Sequence, residues 1–367
     1  MGTRGKRQFG SLRKLPSGRW QARYSHPVTN ALIAAPSTFA TKAEAARWIA
    51  GVETDLARAN WQDPSRASVT LSAYAADWLD TRRVRGLPLA PSTMSTYRKR
   101  LSQVIEPALG RKPLSKISPA DVRSWHAEAS KVGTTTAAQA YRLLHAILAT
   151  ATVDGLLSRN PCLVKGASHP VSAERPLVDR SQVEALALGM PEHLRAFVLL
   201  AFWGGLRLGE LLALELRDVD LDSASGTGSV RIERQQQDVD RQTLVSAPKA
   251  GSVRTVHLPQ PAVHAMALHI ETRGPRPPCD RVFVRSDGSN LRAFDVHRYW
   301  RRSRDAVGLP QLHVHDLRHA GLTLAAQSGA TLAEVMRRAG HSTSRAALIY
   351  QHGAEDRDRE VAERMSR

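Results

Sequence analysis

Cysteine is nearly absent from this 367-residue chain, which has only Cys162 and Cys279. The two lie far apart and share no metal-ligand spacing. That excludes a disulfide framework and a cysteine zinc site, and it points to a reducing cytosol. Long apolar runs are also missing, so no segment reads as membrane-spanning. The first 24 residues are basic but carry no apolar stretch, and so do not read as a signal peptide. Internal repeats and long low-complexity tracts do not occur. Acidic residues are scarce against basic ones: Lys and Arg number 52, Asp and Glu 34, for a formal charge of +18. A chain this basic usually meets a polyanion, most often nucleic acid. Lysine is scarce as well, with nine residues, so arginine carries nearly all of the positive charge. Its planar fork suits bidentate contact with phosphate, although a high-GC genome would bias composition the same way.

What is present divides into three segments. Residues 1–62 open with Arg4, Lys6, Arg7, Arg13, Lys14, Arg19 and Arg23 and no acid, interleaved with Phe9, Trp20 and Tyr24. Leu15–Pro16–Ser17–Gly18 is a turn between two short strand-like runs, and a third run lies near Ser37–Ala40. Thr41 and Glu44 form a capping-box pattern that starts a helix to about Asn60. The expectation is a three-stranded sheet plus one helix, a form that can lie in a DNA groove. Residues 66–165 are helical by apolar spacing, with helices over Val69–Arg82, from Pro91 through Leu101, from Ser118, and over Thr134–Val153. Arg98, Lys99 and Arg100, with the bases at 111–116, are candidate phosphate contacts. Residues 166–175 read as a linker. Residues 176–367 mix helices with a few strands. Leu194–Trp203 is a buried helix, and helices follow near 261–272, 294–306, 316–328, 331–339 and 343–351. The runs Val230–Arg234, Thr243–Ala247 and Val253–Leu258 read as one antiparallel set, with Lys249–Ala250–Gly251 at its second turn. The fold class is therefore multidomain and mainly α with small β-sheets, ending in an α+β domain.

Breaking a phosphodiester requires a nucleophile, cationic stabilisation of the transition state and an acid for the leaving oxygen. Acid clusters that hold metals are one solution. Asp218, Asp220, Asp222, Asp238 and Asp240 read as turn residues instead, because no further acidic pair completes a two-metal site. The other solution is a covalent nucleophile amid fixed cations. Arg207 follows the Gly204–Gly205 break and starts a helix. His315 and Arg318 stand three apart on one face of a first helical turn. His341 follows a helix-ending Gly340, and Tyr350 comes nine residues later.

In these residues the chain resembles the tyrosine recombinases of the phage-integrase type, whose pattern is Arg, Lys on a β-turn, His-x-x-Arg, His or Trp, then Tyr. The matching residues are Arg207, Lys249, His315, Arg318, His341 and Tyr350, in order. The resemblance extends to three domains: an arm-type DNA-binding domain (1–62), a helical core-binding domain (66–165) and a catalytic domain (176–367). It implies that Tyr350 attacks the scissile phosphorus, that Arg207 and Arg318 hold the non-bridging oxygens with His341, and that His315 assists proton transfer. Glu210 is expected to orient Arg207. Lys249 would protonate the leaving 5′-oxygen, an assignment with separate support: it is the only lysine after Lys165, and lysine can release a proton where arginine cannot. Tyr299, the other tyrosine of this segment, reads as packing or backbone contact, and neither His313 nor His319 is given a role.

The resemblance implies a site-specific recombinase that needs neither metal nor ATP. It would be the integrase of a prophage or other mobile element, acting as a homotetramer on double-stranded DNA in the bacterial cytoplasm. An excisionase and a DNA-bending host protein would be possible partners. Three alternatives share the residues: a chromosome-dimer or plasmid resolvase, a topoisomerase-like enzyme, and a DNA-binding regulator without catalysis.

Overall fold

The computed structural model describes residues 9–27, 29–58, 68–170, 177–248 and 252–340, together with Met365. Arg4, Lys6, Arg7, Lys249, His341 and Tyr350 lie outside the described residues, as does the helix expected near 343–351. The chain divides into two compact units, Met1–Ser172 and Ala173–Arg367.

The first unit begins with the expected sheet. β1 (Ser11–Lys14), β2 (Trp20–Ser25) and β3 (Leu32–Ala34) are antiparallel in that order. The third strand lies earlier than the run near Ser37–Ala40, which contributes only a bridge from Phe39 to Trp20. α1 (Lys42–Ala57) starts at the Thr41 cap, with both halves of the Thr41/Glu44 capping box formed. Strand alternation puts Ala22 and Tyr24 inward, where they are buried. Ala22 packs with Ala45 and Ile49 of α1, and Trp48 stacks its ring near Tyr24 and Phe39.

Next come α2 (Leu71–Thr81), a two-residue hairpin of β4 (Arg83–Val84) with β5 (Leu87–Pro88), and α3 (Pro91–Arg100). α3 runs on as a wider, π-helical stretch over Leu101–Gly110. α4 (Pro119–Val132) has the Ser118/Asp121 capping box and Pro119 in its first turn, and α5 (Thr134–Val153) follows. The apolar stripe of α5, from Ala137 to Ala151, meets Leu71, Trp78, Ile105 and Trp125 in one core. Both tryptophans satisfy their indole N–H there, Trp78 on Thr150 Oγ1 and Trp125 on the Val104 carbonyl.

The second unit holds α6 (Arg180–Leu188), α7 (Glu192–Trp203), α8 (Leu208–Ala213), β6 (Val219–Asp222), β7 (Thr227–Ile232), β8 (Gln235–Val239), β9 (Gln242–Ser246), β10 (Arg254–Leu258), α9 (Gln260–Arg273), α10 (Ala293–Ala306), α11 (Val314–Gln327) and α12 (Leu332–Ala339). α7 is apolar nearly all round and lies at the centre of the core.

The three expected strands do not form one set. β10 pairs with β7, which pairs with β6, while β8 and β9 make a separate hairpin about the Asp240–Arg241 turn. Burial explains the difference. β10 alternates buried Arg254, Val256 and Leu258 with exposed residues, and Val256 lies opposite buried Val230. β9 has no fully buried residue to offer that sheet. Two glycines set the positions of α11 and of the end of α12. Gly321 of α11 lies so close to α7 that a Cβ there would stand 1.8 Å from the Phe202 carbonyl oxygen. Gly340 ends α12 in the left-handed conformation at φ 61°, which a side chain would strain.

Candidate active site

Arg207 is the N-terminal cap of α8, at the break after Gly204–Gly205. A helix start leaves backbone N–H groups without partners, and Glu210 answers one of them. Its Oε2 accepts from the Arg207 amide at 2.9 Å, while Oε1 accepts from the Arg207 guanidinium at 2.7 Å. Glu210 is 1% exposed and binds a second arginine more completely. The fork of Arg254 meets both of its oxygens, at 3.0 and 2.8 Å. Arg318, on α11 and fully buried, brings Nη1 to 4.0 Å from the same carboxylate. Three guanidinium groups thus surround one carboxylate, with an excess of two positive charges.

The other half of the geometry is backbone. Arg254 Nε donates to the carbonyl of Arg338 at 2.8 Å, Arg318 Nη2 to that of Ala339, and Arg207 Nη2 to that of Gly340 at 3.0 Å. Three arginines from three elements cap three successive carbonyls at the end of α12. The last carbonyls of a helix lack helical partners as a rule and carry the negative end of the helix dipole, so cations are favoured there. Arg318 also donates to the Gly205 carbonyl, which ties α11 to the start of the Arg207 segment. Arg338 closes the back of the cluster on the carbonyls of His257 and Trp203.

Burial pushes the Glu210 carboxyl up, but the Arg254 fork and then the amide and charge of Arg207 outweigh it, so the group sits below the usual carboxylate range. It stays ionised and fixed. Arg207 is 27% exposed at its side chain and has five N–H groups, two of which are used by these contacts. The site therefore offers donors and excess positive charge at its mouth, an arrangement that binds an anion such as phosphate. His315 stands exposed in the first turn of α11, whose start is closed by Asp316 accepting from the His313 amide at 2.8 Å.

The structure therefore brings together Arg207, Glu210 and Arg318, with His315 at the head of the Arg318 helix. It adds Arg254, which the sequence reading passed over. The signal was available: residues 254, 256 and 258 alternate inward, and an arginine in an otherwise apolar inward row needs a buried partner. Tyr299 lies outside this cluster. Arg298 donates to its Oη at 3.0 Å and stacks on its ring, and its side packs on the core. The acidic residues are used locally: Asp218 pairs with Arg234, Asp222 holds the turn at Ala224 and Ser225, and Asp238 accepts from Thr243 and the Ala293 amide.

The candidate DNA contacts differ among themselves. Arg13 and Arg23 occupy the sheet face opposite Ala22, in register with Gln21 and Ser11. Arg19 is committed to Thr38, through Oγ1 at 2.7 Å and through its carbonyl. Lys14 pairs across the sheet with Trp20 and is exposed. In the helical part Arg98 and Lys99 are exposed, whereas Arg100 is half-buried on Gln139, at 3.1 and 2.8 Å. Lys112, among the bases at 111–116, is bound to Asp121 at 2.5 Å. Among the described residues no helix is long and apolar enough to cross a membrane.

Comparison with known proteins places the three parts of the chain in one family. The model of the phage integrase N-terminal domain matches residues 8–58, that of the phage integrase central domain residues 71–165, and that of the phage integrase family residues 177–357. The chain is 37% identical to the prophage phiRv2 integrase of Mycobacterium tuberculosis over 375 aligned positions, covering 100% of this chain and 97% of that protein. In fold it resembles the Tn1549 transposon integrase in complex with transposon right end DNA, at 20% identity and a TM-score of 0.66, over 82% of this chain and 100% of that one. It also resembles the lambda integrase tetramer bound to a Holliday junction, at 17% identity and a TM-score of 0.56, over 92% and 94% of the two chains. With all three domain models in order and a relative matched end to end, the chain belongs to the phage integrase family of tyrosine recombinases.

Proposed function

We propose that this protein is the site-specific integrase of a prophage or related mobile element, and that it cuts and rejoins double-stranded DNA through Tyr350. The observation that carries the reading is the buried carboxylate of Glu210 with three guanidiniums around it, two of them at the family's arginine positions. Such a cluster keeps its excess charge for a bound anion. In the first step the Tyr350 oxygen attacks the scissile phosphorus and the bond to the 5′-oxygen breaks. A 3′-phosphotyrosyl link and a free 5′-hydroxyl result. His315 assists removal of the tyrosine proton, and Lys249 supplies a proton to the leaving oxygen. Arg207 and Arg318 hold the non-bridging oxygens as negative charge builds, and His341 adds a hydrogen bond. A 5′-hydroxyl from the partner duplex then attacks the phosphotyrosine, gives up its proton and displaces the tyrosine oxygen, which takes one back, so the bond energy is conserved and neither metal nor ATP takes part.

The chain is divided for this task into an arm-type DNA-binding domain at 1–62, a core-binding domain at 66–165 and a catalytic domain at 176–367. It works as a homotetramer on two DNA sites, in the cytoplasm at the host nucleoid. A directionality factor and a DNA-bending protein are fitting partners. The match of residues 8–58 to a phage integrase N-terminal domain favours an integrase over a resolvase.

The test is a nicked duplex carrying the genomic junction beside the gene, incubated with the protein in EDTA without ATP. A denaturation-resistant protein–DNA adduct, formed by wild type and not by Tyr350→Phe, is expected. Tight binding with no adduct would favour a non-catalytic regulator. An adduct that persists in Tyr350→Phe would mean the nucleophile lies elsewhere, with Tyr299 next to be tested.

A further inference from the structure

Arg254 is the member of the cluster that the family pattern does not contain. Its side chain is 4% exposed. It holds both oxygens of Glu210, the carbonyl of Arg338 and, through Nη1 at 3.0 Å, the carbonyl of Ser252. One side chain thus ties the start of α8 to the end of α12 and to the chain entering β10. Arg207 stands at the first of these, His341 directly after the second, and Lys249 five residues before Arg254 in the third.

Space-filling does not account for this. Burying a guanidinium is costly unless it is fully paired, and a valine or leucine would continue the inward row of Val256 and Leu258 at less cost. Pairing does something an apolar residue cannot. With both oxygens of Glu210 in the Arg254 fork, the carboxylate cannot turn to chelate Arg207, which keeps one bond to Oε1 and one to the Gly340 carbonyl. The direction of the Arg207 fork is therefore set from behind. Gly340 leaves no slack in the arrangement: a Cβ on it would meet Ser252 Cβ at 2.9 Å and Arg254 Nη1 at 3.0 Å.

We infer that Arg254 is a positioning residue for strand cleavage, acting through Glu210 and the Arg338 carbonyl to fix where Arg207 and Arg318 stand and where the chain leaves α12. This rests on the recombinase reading above. The test uses the full-length protein and the nicked duplex, and it measures DNA affinity, thermal unfolding and the single-turnover rate of adduct formation with all DNA bound. Arg254→Lys keeps the charge but loses the fork. It is expected to bind DNA much as wild type does and to unfold at a lower temperature, while the folded, DNA-bound protein cleaves on the order of 10²-fold more slowly, the usual cost of a small misplacement of reacting groups. Because the effect passes through Glu210, adding Glu210→Gln to Arg254→Lys should slow cleavage little further.

Wild-type cleavage by Arg254→Lys would overturn the inference. So would a rate loss that disappears once the protein is fully folded and saturated with DNA, or independent, additive effects of the two substitutions. If Arg254→Lys does not fold, the neutral pair Arg254→Met with Glu210→Gln takes its place. Slow cleavage by DNA-bound, folded protein supports the role, and wild-type cleavage refutes it. If wild type itself forms no adduct, the recombinase reading fails, and the role of Arg254 falls with it.

Discussion

Replacing Glu210 by Gln removes the one negative charge from a buried group of three guanidiniums and leaves its shape almost unchanged. Arg207 and Arg254 both bond to Oε1, at 2.7 and 3.0 Å, so their nitrogens stand no further apart than those two bonds laid end to end. Two like charges at about 6 Å repel by about 3 kcal/mol at an effective dielectric of about 20. Loss of one partner from a buried ion pair costs a similar amount, about 3–5 kcal/mol. For a unit of this size each kcal/mol lowers the unfolding temperature by about 2–4 °C, so the expected fall is roughly 10 °C. Differential scanning of the full-length protein reads this on the transition of the catalytic unit. Core-site duplex should then narrow the gap between variant and wild type, because a bound phosphate supplies the missing negative charge. A variant that unfolds within about 2 °C of wild type, or one that DNA fails to stabilise preferentially, would show that Glu210 does not hold the cluster together.

Other perturbations test the surrounding structure. Gly321→Ala places a methyl group 1.8 Å from the Phe202 carbonyl oxygen, so α11 must move and take Arg318 with it. The expected result is a loss of adduct formation of about 10²-fold alongside lower stability; unchanged cleavage would mean that Arg318 tolerates the shift. Stability should fall on the acid side. Burial lowers the basicity of His193, His269 and His297, and Glu210 lies below its usual range, so the unfolded chain takes up protons that the folded chain refuses. These contributions are complete above the ordinary imidazole range, near about 6.5, and are lost as pH drops through the lower folded values. Unfolding temperatures measured from pH 8 downward should decline, and His269→Gln should flatten the first part of the curve. In the N-terminal sheet, Arg13→Ala and Arg23→Ala should each reduce the salt dependence of DNA binding by about one phosphate contact. An unchanged salt slope would remove that face from the DNA interface. Arg19→Ala is expected to act mainly through its lost tie to Thr38.

What could be read in the sequence was local. The Thr41/Glu44 capping box forms as its spacing predicts, and a helix starts after Ser118 with Pro119 in its first turn, because such signals are closed within four residues. Arg207 begins a helix for the same reason, at a break marked by two glycines. Strand pairing was not local. Thr243–Ala247 has the alternation of a strand, but its partner is chosen by which strands can bury a face, and buried Val256 outcompetes it for β7. The third strand of the N-terminal sheet was misplaced similarly, since Leu32–Ala34 pairs with β2 while Phe39 makes a single bridge. The largest gap lay at the site. Three of its contacts end on the carbonyls of residues 338, 339 and 340, and a carbonyl leaves no mark in the sequence. Arg254 did leave one, as a charge in an inward row, but its meaning depended on Glu210 lying opposite.

The charge count at the site also says what it should prefer to bind. A phosphodiester carries one negative charge in the ground state. On the proposed mechanism, attack by a tyrosine that has given up its proton creates a five-coordinate phosphorus bearing close to two. Arg207, Arg254 and Arg318 around Glu210, with Arg338 behind them, leave a clear excess of positive charge, and the dipole end of α12 is already occupied by the first three side chains. Fixed positive charge therefore favours the more negative transition state over the substrate, which is the condition for lowering a barrier rather than merely tightening binding. The carboxylate has a different purpose: it holds the guanidiniums together against their mutual repulsion, so that their charge faces the phosphate as a fixed group. A Glu210→Gln protein that remains folded on DNA gains one unit of positive excess and should bind DNA more tightly, while cleavage slows through the lost hold on Arg207; weaker affinity with unchanged cleavage would contradict both arguments.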